Sequence, residues 1–337
     1  MTSPFDLFHG DGRHTPERGD DLPEPLHLRL RQPGRYLGDD QGLRDACNVA
    51  LLLGQPLLLT GEPGTGKSRF AHALAWEFGL GEPLVFEVKS TSQARALFYH
   101  YDALRRYQDL QSRRLSDEPP LTDYLTINAL GEAILNSLTR EEVPEELRPL
   151  RGEGDPRRSV VLLDEIDKAP RDFPNDVLTE LEDLYFRIPE LGTTRVQANP
   201  KLRPLVVLTS NTERDLPDAF LRRCVYYHIP FPNQERLAKI VALQLETFPA
   251  ESPLLRDAIQ LFAALREKGG LRKKPATAEL LLWLLTLRSL LGEGAEATGL
   301  RVAERREVLT RSLSSLIKTA EDRDRAMKVV NQWLNGA

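Results

Sequence analysis

The residues best suited to chemistry form one continuous segment: Gly61, Glu62, Pro63, Gly64, Thr65, Gly66, Lys67 and Ser68. Its glycines allow the main chain to curl so that N–H groups point inward, where they can bind phosphate oxygens. In this spacing the lysine is expected to reach the β- and γ-phosphates and the serine hydroxyl to ligate Mg²⁺. The alternative is an ordinary glycine turn between a strand and a helix. We predict that the segment binds a nucleoside triphosphate.

A second candidate is a pair of acids, Asp164 and Glu165, which follows the apolar run at residues 160–163. If the run is a strand of a parallel sheet, both carboxylates lie at the carboxyl edge of that sheet, where ligands bind in such folds. Asp164 can then hold Mg²⁺, and Glu165 can orient or deprotonate an attacking water. A strand that simply ends in solvated acids is the alternative. Beside a phosphate-binding loop, the pair favours triphosphate hydrolysis.

Two further groups of polar residues lie beside apolar runs, one directly after a run and one directly before. Asn211 comes after the run at residues 205–208, and its amide could hydrogen-bond the γ-phosphate or the attacking water. A turn-forming asparagine is the alternative. Arg222 and Arg223 lie directly before the last apolar run, where paired arginines are commonly solvated surface charge. An arginine here could instead reach a γ-phosphate held by a neighbouring subunit, which accelerates hydrolysis by about 10³–10⁵-fold.

The elements that must position these residues can be predicted from the alternation of short aliphatic runs with helical patterns. This alternation indicates an α/β fold with a parallel sheet flanked by helices. Five strands are predicted, at residues 56–60, 84–88, 159–163, 204–209 and 224–229. Leucine-rich helical patterns follow. We therefore predict a polar N-terminal arm at 1–30, a nucleotide-binding core at 31–233 and a small all-helical domain at 234–337.

Composition limits the remaining possibilities. The chain has 337 residues, a formal charge of −5 and two cysteines. This charge provides no general attraction to nucleic acid or anionic lipid. Two distant cysteines make a disulfide framework unexpected and favour a reducing compartment. No apolar stretch approaches the roughly 20 residues that cross a bilayer, so we expect a cytoplasmic protein. The six histidines have no metal-ligand spacing.

The order of these motifs resembles that of AAA+ ATPases, and more closely that of their MoxR branch (MoxR/McrB-like). The segments at residues 50–59 and 163–170 carry the closer match. The resemblance implies an AAA+ αβα sandwich followed by a helical lid. It implies that residues 61–68 are the Walker A loop, Asp164 and Glu165 the Walker B pair, Asn211 sensor 1, and Arg222 or Arg223 the arginine finger. Tyr36 and Leu37 would lie near the adenine.

The resemblance also concerns two protrusions and one departure. Residues 90–101 match an insert in the second helix, and residues 185–192 a pre-sensor hairpin that returns at 193–196; in the family both line a central pore or contact clients. Tyr99, Tyr101 and Phe186 are the aromatic candidates there, with packing beneath a loop as the alternative. The family's sensor 2 arginine is absent: Thr277 or Ala278 occupies its place, and Lys273 or Lys274 could substitute.

By this resemblance the chain is expected to form a homo-oligomeric ring, most simply a hexamer, that binds and hydrolyses ATP with Mg²⁺. The ring would remodel or activate a client protein, with a von Willebrand factor A domain protein as partner. Two alternatives stay open. One is an ATP-dependent assembly switch that does not turn over, and the other is a nucleic-acid motor or restriction-type NTPase. The sequence does not distinguish ATP from GTP.

Overall fold

The structure, a computed structural model, describes residues 25–26, 30, 32–112, 119–192, 195–211, 216–246, 248–249 and 251–335. The chain divides into two compact units. The larger unit is Gly38–Pro230, and the other consists of Phe231 onward together with the described residues up to Leu37. Each unit has its own cluster of buried apolar side chains. The arm predicted at residues 1–30 lies almost entirely outside the described residues.

The larger unit is built on nine strands, whose bounds are β1 Leu57–Thr60, β2 Leu84–Glu87, β3 Tyr99–Tyr101, β4 Leu125–Ile127, β5 Val160–Asp164, β6 Tyr185–Phe186, β7 Val196–Gln197, β8 Leu205–Ser210 and β9 Val225–His228 among the described residues. Five of them form a sheet in the order β2-β5-β8-β1-β9, and every neighbouring pair is parallel. The predicted α/β fold with a five-stranded parallel sheet is therefore confirmed. The predicted strand ends differ from the observed ones by at most one residue.

Helices cover this sheet. In the described part of the larger unit they are α1 Gln41–Leu53, α2 Lys67–Glu77, α3 Ala103–Ser112, α4 Ala129–Asn136, α5 Phe173–Asp176, α6 Leu178–Asp183 and α7 Asp218–Leu221. The central strands β1 and β5 are buried almost throughout, as expected for parallel strands covered on both faces. Asp40 caps α1 by accepting the N–H of Leu43, and Gly54 ends the helix in the left-handed conformation.

Two small antiparallel pairs accompany the main sheet: β3 with β4, and β6 with β7. The β3 strand lies in the region of the predicted helix-2 insert, and β6 begins the segment predicted as a pre-sensor hairpin. The predicted return at residues 193–196 falls partly outside the described residues, because only the last two positions are described.

The second unit contains α8 Gln234–Gln244, α9 Pro253–Lys268, α10 Thr277–Leu291, α11 Arg306–Ser312 and α12 Ala320–Leu334. Its core includes Trp283, which is fully buried and donates its indole N–H to Ser312 Oγ at 2.9 Å. This arrangement confirms the predicted helical C-terminal region. None of the helices in the described part of the chain combines the length and apolar character that a bilayer-spanning segment requires.

Candidate nucleotide-binding site

Strand order brings the three predicted motifs to one edge of the sheet. β8 lies between β1 and β5, and its register aligns Ser210 with Thr60 and Leu208 with Leu163. Because all three strands are parallel, the residues that follow them emerge at the same carboxyl edge. The loop that starts at Gly61, the acids that end β5 and the asparagine after β8 are therefore neighbours.

The conformation of residues 61–68 fits a phosphate. Gly61, Gly64 and Gly66 have φ angles of 146°, 80° and 95°, in the region that only glycine adopts readily. A Cβ at Gly61 would lie 2.5 Å from the main-chain oxygen of Ile229, so a larger residue would displace the loop. α2 begins at Lys67, and its N-cap residue Gly66 makes no side-chain cap. The first N–H groups of the helix are thus left for an anion.

Lys67 lies at the centre of the loop and is buried. Its Nζ donates to the main-chain oxygens of Gly61 and Glu62 at 2.8 and 3.0 Å, and to Asn211 Oδ1 at 3.0 Å. Burial lowers the pKa of this ammonium, while the nearby carboxylates of Asp164, Asp167 and Glu165 act to raise it. The ammonium is therefore held by hydrogen bonds to uncharged oxygens, and three carboxylates lie close enough to influence its pKa.

The donor set at the end of β5 fits Mg²⁺ held jointly with phosphate. Ser68 Oγ donates to Asp164 Oδ1 at 2.7 Å, which places one hydroxyl and one carboxylate oxygen together. Within the described residues, no group of three His, Cys, Asp or Glu side chains is placed to hold a metal ion by itself. Mg²⁺ commonly binds through one or two protein oxygens plus substrate phosphates and water, and this pair matches that mode.

Glu165 has an unusual main-chain conformation. Its φ and ψ are 59° and 52°, left-handed values that are sparsely populated for a residue with a Cβ and cluster at functional sites. The N–H of Glu165 donates to Thr209 Oγ1 at 2.9 Å, and the same hydroxyl donates to Asp164 Oδ1. Thr209 therefore ties the two acids together from the neighbouring strand.

The carboxylate of Glu165 has a different partner on each oxygen. Asn211 Nδ2 lies 3.5 Å from Oε1, and Lys168 Nζ forms an ion pair with Oε2. This hydrogen bond to Glu165 raises the pKa of Lys168. Asn211 also donates its main-chain N–H to Asp167 Oδ1 at 3.2 Å. Asn211 thus bridges Lys67 of the phosphate loop to Glu165.

Three residues of this cluster, Thr209, Asp167 and Lys168, are not identified by sequence reasoning. Thr209 offers one signal, a polar residue near the end of an otherwise apolar strand. Asp167 and Lys168 stand beside the predicted acids, but nothing in their spacing indicates which of them contacts Asn211 and which contacts Glu165.

The two arginines after α7 differ in their surroundings. Arg223 donates from Nε to Glu182 Oε2 at 2.9 Å and from Nη1 to the main-chain oxygen of Ala219 at 3.1 Å. Arg222 is exposed, and none of the described residues forms a hydrogen bond or ion pair with its guanidinium. Residues 212–215 lie outside the described part of the chain.

The remaining predicted residues belong to the second unit. Tyr36 and Leu37 belong to the second unit, so a role near adenine stays a prediction. Lys273 and Lys274 are exposed in that unit, and Thr277 is buried at the start of α10. A role of any of them as sensor 2 also stays a prediction.

The aromatic side chains considered for the protrusions are mostly packed. Tyr99 and Phe186 are buried, at 2% and 1% exposure, whereas Tyr101 is half-buried. The ring of Phe186 stacks on that of Phe98 with centroids 5.7 Å apart, and Tyr99 donates its hydroxyl proton to Glu190 Oε2 at 2.9 Å. For Tyr99 and Phe186, packing beneath a loop is the correct interpretation.

The family described as AAA domain (dynein-related subfamily) matches residues 56–224, half of the chain. The chain belongs to this AAA domain family. The matched range contains the phosphate loop, both acids, Asn211 and both arginines, and it excludes Tyr36, Leu37 and the second unit.

Similarity to individual proteins is more distant. A point variant of Thermotoga maritima RuvB is 15% identical, with a TM-score of 0.43, and the match covers 93% of this chain and 76% of that one. The Thermotoga maritima RuvB Holliday junction branch migration motor is also 15% identical, with a TM-score of 0.41 and coverages of 94% and 74%. No curated protein matches the chain. AAA domains as a family bind and hydrolyse ATP with Mg²⁺, and the cluster described above is the candidate for that site.

Proposed function

We propose that this AAA domain protein binds ATP together with Mg²⁺ and hydrolyses it. One observation carries the proposal: Lys67 and Ser68 of the phosphate loop are hydrogen-bonded directly to Asn211 and Asp164, from two other strands. Residues at the ends of three parallel strands thus meet beside the N-terminus of α2, which has no side-chain cap. A glycine turn with only a structural role would not require a buried lysine beside three acids.

Each residue then has a specific task. Lys67 and the loop N–H groups hold the phosphates, and Ser68 with Asp164 would hold Mg²⁺, which neutralises charge on the phosphate oxygens. Glu165 orients a water molecule and accepts its proton while the water oxygen attacks the γ-phosphorus. The bond between that phosphorus and the bridging oxygen breaks, and ADP leaves with the electron pair. Asn211 keeps the water and the carboxylate in register.

The test of this assignment is Glu165→Gln. The amide keeps the size of the side chain but cannot accept the proton, so we expect ATP binding to persist and steady-state hydrolysis to fall by at least 100-fold. Glu235→Gln is the matched control, because Glu235 forms an exposed ion pair on α8. Undiminished hydrolysis by Glu165→Gln, or hydrolysis that persists after Mg²⁺ is chelated, would contradict the proposal.

We propose Arg222 as the arginine finger, acting on ATP held by the next subunit of a ring. Arg223 is held within its own subunit by Glu182 and Ala219, whereas the Arg222 guanidinium is exposed. Both side chains are exposed, but a finger must be free to reach a neighbouring phosphate, which favours Arg222, since Arg223 is held by its hydrogen bonds among the described residues. Loss of such an arginine lowers hydrolysis by about 10³–10⁵-fold.

The matched comparison is Arg222→Ala against Arg223→Ala. We expect the first to abolish hydrolysis with ATP affinity intact, and the second to retain more than a tenth of the activity. Mixing Arg222→Ala with Glu165→Gln tests action between subunits, because only a mixed ring contains sites with both functional groups. Recovery of hydrolysis on mixing supports the ring. Equal losses in both arginine variants, without recovery, would contradict it.

The finer assignments rest on the sequence motifs. We propose a MoxR-like ring, most simply a hexamer, that uses hydrolysis to remodel or activate a client, with a von Willebrand factor A domain protein as the first partner to test. Light scattering with ATP measures the ring, and capture with Glu165→Gln as a trap tests the client. Hydrolysis that does not depend on protein concentration would favour an assembly switch instead. Stimulation by DNA with a steep loss on adding salt would favour a nucleic-acid motor.

A further inference from the structure

Lys168 contacts the carboxylate that the proposed function places at the centre of hydrolysis. It ends a short 3₁₀ helix, Ile166–Lys168, that begins directly after Glu165. Its Nζ forms an ion pair with Glu165 Oε2, and its main-chain N–H donates to the oxygen of Glu165 at 2.9 Å. Asp164 and Asp167 also attract this ammonium, but the side-chain hydrogen bond goes to Glu165.

The side chain of Glu165 needs such a partner. Its main chain is held by the bond from N–H to Thr209, but the side chain is 40% exposed and can adopt several staggered rotamers. The contact with Asn211, at 3.5 Å, is at the outer limit of a hydrogen bond. Of the two contacts described for this carboxylate, the ion pair with Lys168 is therefore the stronger restraint.

The two oxygens of the Glu165 carboxylate have different partners. Lys168, whose own side chain is 53% exposed, contacts Oε2. Oε1 faces Asn211, which in turn contacts Lys67 of the phosphate loop. With Oε2 bound to Lys168, Oε1 is the oxygen that lies toward Asn211 and the phosphate loop.

We propose that Lys168 is a positioning residue for hydrolysis: by holding Oε2 of Glu165, it keeps Oε1 directed at the water that attacks ATP. This inference rests on the function proposed for Glu165. Lys168 bonds to Glu165 and, among the described contacts, not to the phosphate loop. Its loss should therefore slow the chemical step without weakening nucleotide binding.

The experiment compares Lys168→Met and Lys168→Arg with Lys239→Met as the matched control. Lys239 is also an exposed lysine, 54% by side chain, paired with a glutamate one turn away, but it lies on α8. We expect Lys168→Met to lower kcat by about 3- to 5-fold, the size of effect expected from the loss of an exposed ion pair. KM and the Kd for a fluorescent ATP analogue should stay within twofold of the wild-type values. The Tm should be unchanged within experimental error.

Lys168→Arg should recover at least half of the wild-type kcat, because it preserves the charge and can donate to the same oxygen. Lys239→Met should behave as the wild type. An unchanged or increased kcat in Lys168→Met would overturn the inference, and so would a fall in kcat that is matched by falls in ATP affinity and Tm. If the wild type binds ATP with Mg²⁺ but does not hydrolyse it, the proposed function fails first, and this inference fails with it.

Discussion

Thr209 joins the two acids of the site through a single hydroxyl group, and Thr209→Val removes that group while keeping the shape of the side chain. The hydroxyl donates to Asp164 Oδ1 and accepts the N–H of Glu165 at 2.9 Å. The side chain is 1% exposed, so water does not readily replace either bond. We therefore expect both the stability of the larger unit and the rate of hydrolysis to fall.

The magnitude follows from the two bonds. A hydrogen bond to a charged group contributes about 1.5–3 kcal/mol, and a buried N–H left without a partner costs about 1–3 kcal/mol. The additional methyl group of valine returns about 0.8 kcal/mol through burial. The free energy of unfolding should thus decrease by about 2–5 kcal/mol. Because the same N–H anchors the left-handed conformation of Glu165, kcat should fall by at least 10-fold.

Urea unfolding followed by circular dichroism measures the stability, and steady-state ATP hydrolysis measures the rate. Thr209→Ser keeps the hydroxyl and should recover most of the rate. Thr286→Val is the control for the chemical change itself, since Thr286 donates only to the main-chain oxygen of Leu282 within α10. If Thr209→Val unfolds at the wild-type urea concentration and hydrolyses ATP at the wild-type rate, the hydroxyl bridge has no energetic role, and the reasoning is refuted.

Two further predictions concern packing and acid stability. Gly131→Ala should lower the urea midpoint despite the better helix propensity of alanine, because the new Cβ would lie 2.2 Å from the main-chain oxygen of Phe98. Such overpacking costs about 1–3 kcal/mol. The control is Gly38→Ala, whose Cβ meets open space and which should leave the midpoint unchanged. Asp322→Asn should lower the Tm of the helical unit at pH 7 and reduce its acid sensitivity. The N–H of Arg272, above all, holds the pKa of Asp322 below its ordinary value of 3.8, so this carboxylate stabilises the fold above that pH and its contribution is lost as the pH falls through the lower native pKa. Thermal melts by circular dichroism between pH 2 and 7 measure this, and superimposable pH profiles of wild type and Asp322→Asn would contradict it.

The sequence by itself determined the local units of the site. The glycine-rich loop before a helix and the acids at the end of an aliphatic run are short patterns, and their spacing predicts strand–loop–helix structure because glycine conformation and side-chain periodicity act over a few residues. The five parallel strands and the helical C-terminal region were predictable for the same reason. The sequence also indicated Asn211, which the structure places beside Lys67 and Glu165. It offered Arg222 or Arg223 as the arginine finger without a distinction between them, and that role stays a prediction.

Only the tertiary structure decided which residues meet. Ser68 and Asp164 are 96 residues apart in the chain, and Lys67 and Asn211 are 144 apart, yet each pair is hydrogen-bonded because β8 lies between β1 and β5. Strand order follows from the burial of whole faces against helices, which no local pattern contains. The same packing gives Glu165 its bond to Thr209 and leaves Arg222 exposed while Arg223 pairs with Glu182. Local spacing thus specifies the chemical groups, and long-range packing specifies their partners.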